Sequence, residues 1–195
     1  MTREIEFFFD VGSPTSYLAY TQLPKLGRET KNRIVFRPML LGAVFQATGN
    51  ASPMMVPAKA RYMLDDMVRA AQKFGVPFVM NKHFPINTLH LMRGALAAGE
   101  DGWLMQYCNV VFSGMWVQNL NMGDPEVVAR ALTDAGLDAA TIAAKAGQTW
   151  IKEKLKANTD EAIERGVFGA PTFFVRGQMF FGQDRIDDVA AAARA

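Results

Sequence analysis

Phe9-Asp10-Val11-Gly12-Ser13-Pro14-Thr15-Ser16-Tyr17 decides the fold, because it places a serine where a strand hands over to a helix. Residues 5–9 form an apolar run of strand length. Beyond the serine, Tyr17, Leu18 and Leu26 recur at helical spacing, and Gly27 suits a helix end. Ser13 followed by Pro14 has the form of an N-cap and a first-turn proline. A helix starting there presents unpaired N–H groups and its positive dipole end, a ready site for an anion. Two readings stay open at this point: a plain helix cap, or a site that holds an anion such as a thiolate.

Working outward, residues 34–36 before Pro38 complete a strand–helix–strand unit, the pattern of a parallel pair. From Pro57 to about Gly147 nearly everything reads as helix. Ala60, Met63, Met67, Ala70 and Phe74 share one stripe; Leu104, Tyr107, Cys108, Val111, Phe112 and Met115 share another, opened by Asp101. Asp124-Pro125 starts a helix that Gly136 closes, Asp138 caps the next, and a long helix runs from about Thr149 to Gly166. Strands return at 172–175 and 179–181, and the terminal alanines read as helix.

The second informative stretch is Arg165-Gly166-Val167-Phe168-Gly169-Ala170-Pro171-Thr172-Phe173-Phe174-Val175. It reads as a helix stop, a tight turn and a buried strand that begins at a proline, where proline is tolerated. Only X–Pro bonds become cis at modest cost, and a cis bond here would leave the Ala170 N–H and C=O free for an extended peptide. A hairpin follows through Arg176-Gly177-Gln178, and Asp184 ahead of Ile186 has the form of the last helix's cap.

Composition narrows the function. The chain has 195 residues, half of them apolar, enough for a substantial core in one domain or a domain with an insertion. A formal net charge of +2 gives no support to nucleic-acid or membrane-surface binding. Cys108 is the only cysteine, so the chain has no dithiol with which to exchange disulfides alone. His83 and His90 lie far from any cysteine pair, so no zinc site is expected, and both read as structural. Met1-Thr2-Arg3-Glu4 leads into a strand without a secretory apolar stretch, and no run of membrane-spanning length follows; a cytoplasmic location is the expectation.

Ser-Pro at the first helix, Gly-Ala-Pro-Thr before a late strand, Thr48-Gly49-Asn50, Pro57-Ala58-Lys59-Ala60-Arg61-Tyr62-Met63 and Phe181-Gly182-Gln183-Asp184-Arg185 occur together and in order. With these motifs the chain resembles, over nearly its whole length, the 2-hydroxychromene-2-carboxylate isomerases and kappa-class glutathione transferases. The resemblance and the order βαβ, helical block, αββα predict an α/β fold: a thioredoxin-like sheet with an all-helical insertion. Residues 1–45 and 149–195 would form the two halves and 46–148 the insertion. The resemblance implies glutathione as cofactor, a small aromatic substrate as partner, and a homodimer.

Glutathione brings its own thiol, so the protein must stabilise a thiolate. Ionising a thiol of pKa about 8.5 near neutrality needs a drop of roughly two units, about 2.7 kcal/mol. A helix dipole contributes about 0.3–1 kcal/mol, whereas a hydrogen bond to a charged group contributes about 1.5–3 kcal/mol. The dipole falls short, so the Ser13 hydroxyl is assigned as the thiolate's donor. A Ser-His-Asp arrangement is the poorer reading, since Ser13 lacks a Gly-x-Ser-x-Gly elbow. By the resemblance, Ala170 before Pro171 pairs its main chain with the cysteinyl unit, Gln183 and Asp184 hold the γ-glutamyl end, and Asn50 and Lys59 contact the tripeptide, Lys59 at its glycyl carboxylate.

Phe45, Met54, Met55, Phe84, Trp116 and Trp150 are candidate walls of an aromatic pocket; the competing reading of such residues is core. Where the naphthalene-pathway members carry a lysine and an Asn-Arg pair in the substrate loop, this chain has Phe45, Met55 and Val56. The leading expectation is a glutathione-dependent isomerase: the thiolate adds to the hemiketal-containing ring, the ring opens, a bond rotates, and glutathione leaves, giving trans-o-hydroxybenzylidenepyruvate. The alternatives are a kappa-like transferase or peroxidase that consumes glutathione, and a non-catalytic thioredoxin-like module that binds peptides.

Overall fold

The structure, a computed structural model, describes residues 4–195; the approach Met1-Thr2-Arg3 lies outside the described residues. Strand β1 (Glu4–Phe9) leads through the serine loop into helix α1 (Pro14–Thr30) and strand β2 (Arg33–Pro38). Helices α2 (Leu41–Thr48), α3 (Pro57–Phe74), α4 (Leu89–Glu100), α5 (Leu104–Trp116), α6 (Pro125–Asp134), α7 (Ala139–Ala146) and α8 (Thr149–Glu164) follow. Strands β3 (Thr172–Val175) and β4 (Gln178–Phe181) and helix α9 (Ile186–Arg194) close the described chain.

Among the described residues the sheet has four strands in the order β2-β1-β3-β4. β1 and β2 are parallel, and the other pairings are antiparallel. Because side chains alternate along a strand, β1 serves two cores. Ile5, Phe7 and Phe9 enter the main core with α1, α9 and the helical block. Phe8 points the other way, among Met39, Val44, Ala162 and Phe174, where α2 and α8 cover the sheet. On that covered face Arg165 makes a two-pronged contact with Glu6 at 2.8 and 2.7 Å and stacks over the Phe174 ring. Arg37 pairs with Glu161 beside it. The β3–β4 hairpin turns through Arg176 and Gly177, both at positive φ, as a two-residue turn matching strand twist requires. No helix among the described residues is long and apolar enough to cross a membrane.

Four local expectations change. Gly27 lies inside α1, which runs to Thr30 and turns at Lys31 in the left-handed region. The helical block is interrupted over 75–88, where Gly75 has positive φ and Pro77 and Pro85 have no N–H to give. That segment is held instead by the Asn81 carboxamide, which donates to the Met115 and Leu120 carbonyls at 2.8 Å. Asp101 does not open α5: Gly102 at φ 79° breaks the chain after it, and Asp101 closes α4 while pairing with Lys145 at 2.5 Å. Asp184 does not cap α9, because Gly182 turns the chain into a 3-10 turn, Gln183–Arg185, which leaves Arg185 at the cap position. The expected division after residue 45 falls within α2.

Candidate active site

Ser13 caps α1. Its backbone is extended, and its Oγ accepts the Ser16 N–H at 3.1 Å. The same hydroxyl donates to the Ala170 carbonyl at 3.0 Å, joining residues 157 apart in sequence. Thr15 Oγ1 donates to that carbonyl too, also at 3.0 Å, and stands 2.9 Å from Ser13 Oγ. Ala170–Pro171 is a cis bond. The expectation that its carbonyl would be free is therefore corrected: a carbonyl oxygen has two lone pairs, and two hydroxyls engage them. Ser16, at the third helical position, is fully buried, and its hydroxyl has no hydrogen-bond partner among the described residues.

The loop carrying Ser13 is clamped from several elements. Asp10, 2% exposed, takes the Gly12 N–H on Oδ1 at 2.9 Å and, on Oδ2, the Leu41 N–H at 2.9 Å and the Thr88 hydroxyl at 3.0 Å. It thus serves the start of α2, where Leu40 supplies no side-chain cap. Burial pushes the Asp10 carboxyl above the usual aspartate range, against the opposing pull of those hydrogen bonds. Gly12 permits the arrangement, since a Cβ there would lie 2.7 Å from the Thr88 methyl. The Trp116 indole N–H donates to the Val11 carbonyl at 2.8 Å, the Val11 N–H reaches Met92 Sδ at 3.4 Å, and the Tyr17 hydroxyl donates to Pro77 at 2.6 Å.

Asn50 reaches the loop that precedes Pro171. Its carboxamide donates to the Phe168 carbonyl at 2.8 Å, two residues before Ala170, using one of its two N–H groups. Phe181 packs against Gly169, where a Cβ would meet the ring at 2.6 Å, and the Gly182 N–H binds the Pro171 carbonyl at 3.0 Å. Lys59 stands exposed in the first turn of α3, whose cap residue Val56 offers no side-chain bond. Gln183 is buried and Asp184 exposed beside Arg185. These two line an open groove of about 280 Å³ with Gln22, Lys25 and Lys73, and Ser13, Asn50 and Lys59 are not in its wall.

The candidate substrate residues divide. Met55 is 77% exposed, Val56 is exposed and Phe45 is half-buried. Phe84 packs on Trp116 with ring centroids 5.8 Å apart. Trp116 itself is wholly buried and spends its N–H on Val11, which corrects its place from pocket wall to a pillar beneath the serine loop. Cys108 is buried, with its thiol pushed far up by desolvation, and His90 Nε2 lies 3.1 Å from the Met122 carbonyl. No cluster of three metal-ligating side chains occurs among the described residues.

Sequence reasoning missed Asp10, Thr15, Ser16 and Thr88. Asp10 was within reach, since an aspartate bonding the N–H two residues on is an Asx turn and Asp10-Val11-Gly12 has that form. Thr88 and Thr15 carry no such signal, because their partners come from distant parts of the chain.

The family model that matches, over residues 4–194, is the DSBA-like thioredoxin domain. A 2-hydroxychromene-2-carboxylate isomerase from Sphingobium xenophagum is 35% identical, covering 96% of each chain. Glutathione S-transferase kappa 2 from Caenorhabditis elegans is 31% identical over 96% of this chain and 90% of its own. A solved 2-hydroxychromene-2-carboxylate isomerase superposes with a TM-score of 0.87 at 30% identity, covering 97% of this chain and 93% of that one.

Proposed function

This chain belongs to the enzyme family of 2-hydroxychromene-2-carboxylate isomerases and kappa-class glutathione transferases, on a DsbA-like thioredoxin domain, and we propose that it is a glutathione-dependent isomerase of a small aromatic substrate. The observation that carries this is Ser13. It is a hydroxyl at a helix start, aimed at the carbonyl before Pro171, in a chain without a dithiol.

The residues present fit the tripeptide. Val56 leaves the first-turn N–H groups of α3 without a side-chain acceptor, and with the Lys59 ammonium they suit a carboxylate such as the glycyl end. The Ala170 main chain pairs with the cysteinyl unit once the ligand displaces a hydroxyl from its carbonyl, and Asn50 has one uncommitted amide N–H near Phe168. The exposed Asp184 carboxylate suits the γ-glutamyl ammonium, with Gln183 beside it. Bound glutathione supplies the sulfur nucleophile. Ser13 turns its proton from the Ala170 carbonyl toward that sulfur, and its oxygen keeps the Ser16 N–H. One hydrogen bond to a charged group is worth about 1.5–3 kcal/mol, the larger share of what ionisation near neutrality needs. Phe45, Met55 and Val56 line the approach for the aromatic substrate. The proposed product is trans-o-hydroxybenzylidenepyruvate, with the tripeptide returned.

Ser13→Ala tests this. Thiolate absorbance of the bound tripeptide should titrate at higher pH in the variant, and turnover of 2-hydroxychromene-2-carboxylate should be lost; titration identical to wild type refutes the assignment. The apolar Phe45, Met55 and Val56 favour a second reading, a kappa-like transferase or peroxidase. Product analysis separates the two, because a stable thioether or oxidised glutathione accumulates only in the second.

A further inference from the structure

The Ser13 hydroxyl has company that the proposed chemistry does not yet use. Ser13 Oγ, Thr15 Oγ1 and the Ala170 oxygen form a triangle with sides of 2.9, 3.0 and 3.0 Å. The triangle holds only two protons, one per hydroxyl, for its three contacts. One side is therefore always without a proton, and the protons have more than one arrangement. Both hydroxyls can serve the carbonyl, or either can serve the other while the other serves the carbonyl. In every arrangement Ser13 Oγ keeps the Ser16 N–H.

Moving the Ser13 proton out of this triangle has a cost that depends on its neighbour. Ala170 is 8% exposed and Ser13 4% exposed, so a carbonyl abandoned there is poorly placed to find water. A buried acceptor left without a donor is more costly than the bond it made was favourable. Thr15 removes that cost, because its proton already reaches the Ala170 oxygen and stays when the Ser13 proton leaves. If a ligand N–H takes the carbonyl instead, the Thr15 proton is released to Ser13 Oγ at 2.9 Å. A hydroxyl that accepts while it donates is the stronger donor.

We infer that Thr15 is a positioning residue for thiolate stabilisation: it frees the Ser13 proton for the sulfur by holding either the Ala170 carbonyl or the Ser13 oxygen. This rests on the reading of Ser13 as the thiolate's donor. Thr15 stands half-buried at the second helical position, so its replacement removes little packing.

The test is the titration of the glutathione thiol bound to wild type, Thr15→Val, Thr15→Ala and Thr15→Ser, followed by thiolate absorbance. Valine and alanine should raise the bound thiol's pKa by about half to one unit, the size of one ordinary hydrogen bond, and serine should return it toward wild type. Should valine disturb folding, alanine carries the same expectation. Calorimetry with S-methylglutathione, which has no thiol to ionise, distinguishes a merely structural role. An equal loss of affinity for that ligand overturns the inference, as does a wild-type titration curve in both Thr15→Val and Thr15→Ala. A wild type that binds glutathione without lowering its thiol pKa overturns the parent reading as well.

Discussion

Asp10→Asn exchanges one acceptor oxygen at the centre of the clamp for an NH₂ group. In the wild type one carboxylate oxygen holds Gly12 and the other holds Leu41 and Thr88. Asparagine keeps one acceptor oxygen and turns the other position into a donor. With the amide oxygen at Oδ2, the new NH₂ confronts the Gly12 N–H; flipped, it confronts the Leu41 N–H, while the Thr88 hydroxyl adapts by accepting. Either way one backbone N–H is stranded, at about 1–3 kcal/mol. The variant should be less stable by that amount at neutral pH in urea unfolding, with m unchanged.

The pH profile carries the sharper test. Burial raises the folded-state pKa of Asp10, so the folded protein holds its proton more tightly than the unfolded chain, whose aspartate titrates near 3.9. Wild-type stability relative to Asp10→Asn must therefore be greatest at the acid end. It falls as pH rises from about 3.9 through the raised folded value and stays level above it. A difference that grows with pH would show that the donated hydrogen bonds outweigh burial, and would refute the sign. A difference near zero throughout would refute the clamp.

Further outcomes follow from other contacts. Gly94→Ala should cost about 1–3 kcal/mol in urea unfolding, because its Cβ would lie 2.2 Å from the Tyr107 hydroxyl, which is already committed to the Leu91 carbonyl. Trp116→Phe removes the donor to Val11 and leaves a void, so a loss of roughly 1–3 kcal/mol is expected; unchanged thermal unfolding would argue against the pillar. The Arg165 guanidinium bonded to Glu6 lowers its pKa, so that contribution is present above the unfolded glutamate pKa and fades as pH falls through the lower folded value. Arg165→Met should flatten that acid-side loss in urea titrations between about pH 2.5 and 6. Lys59→Ala and Asp184→Ala should weaken glutathione binding in calorimetry more than they move the bound thiol's pKa; equal affinity removes them from the site.

What was legible in the sequence was local. Ser13-Pro14 announces a cap because its partner, Ser16, is one turn away, and Arg176-Gly177 announces a hairpin because a two-residue turn constrains only itself. The break at 75–88 was also local, and Gly75, Pro77 and Pro85 signalled it against the apolar pattern that suggested helix. The triangle at Ala170 was beyond such reasoning, since Thr15 finds its carbonyl 155 residues away. Trp116 shows another limit. Residue type leaves an aromatic side chain open to pocket wall or core, and the direction of its indole N–H depends on what the fold brings beneath it.

The loop that presents Ser13 hangs from the helical block: Trp116 holds Val11, Thr88 holds Asp10, Met92 meets Val11, and Pro77 receives Tyr17. The serine loop and the helical block therefore share scaffolding. Exchanging this block for a relative's would displace the Ser13 hydroxyl unless those contacts were kept.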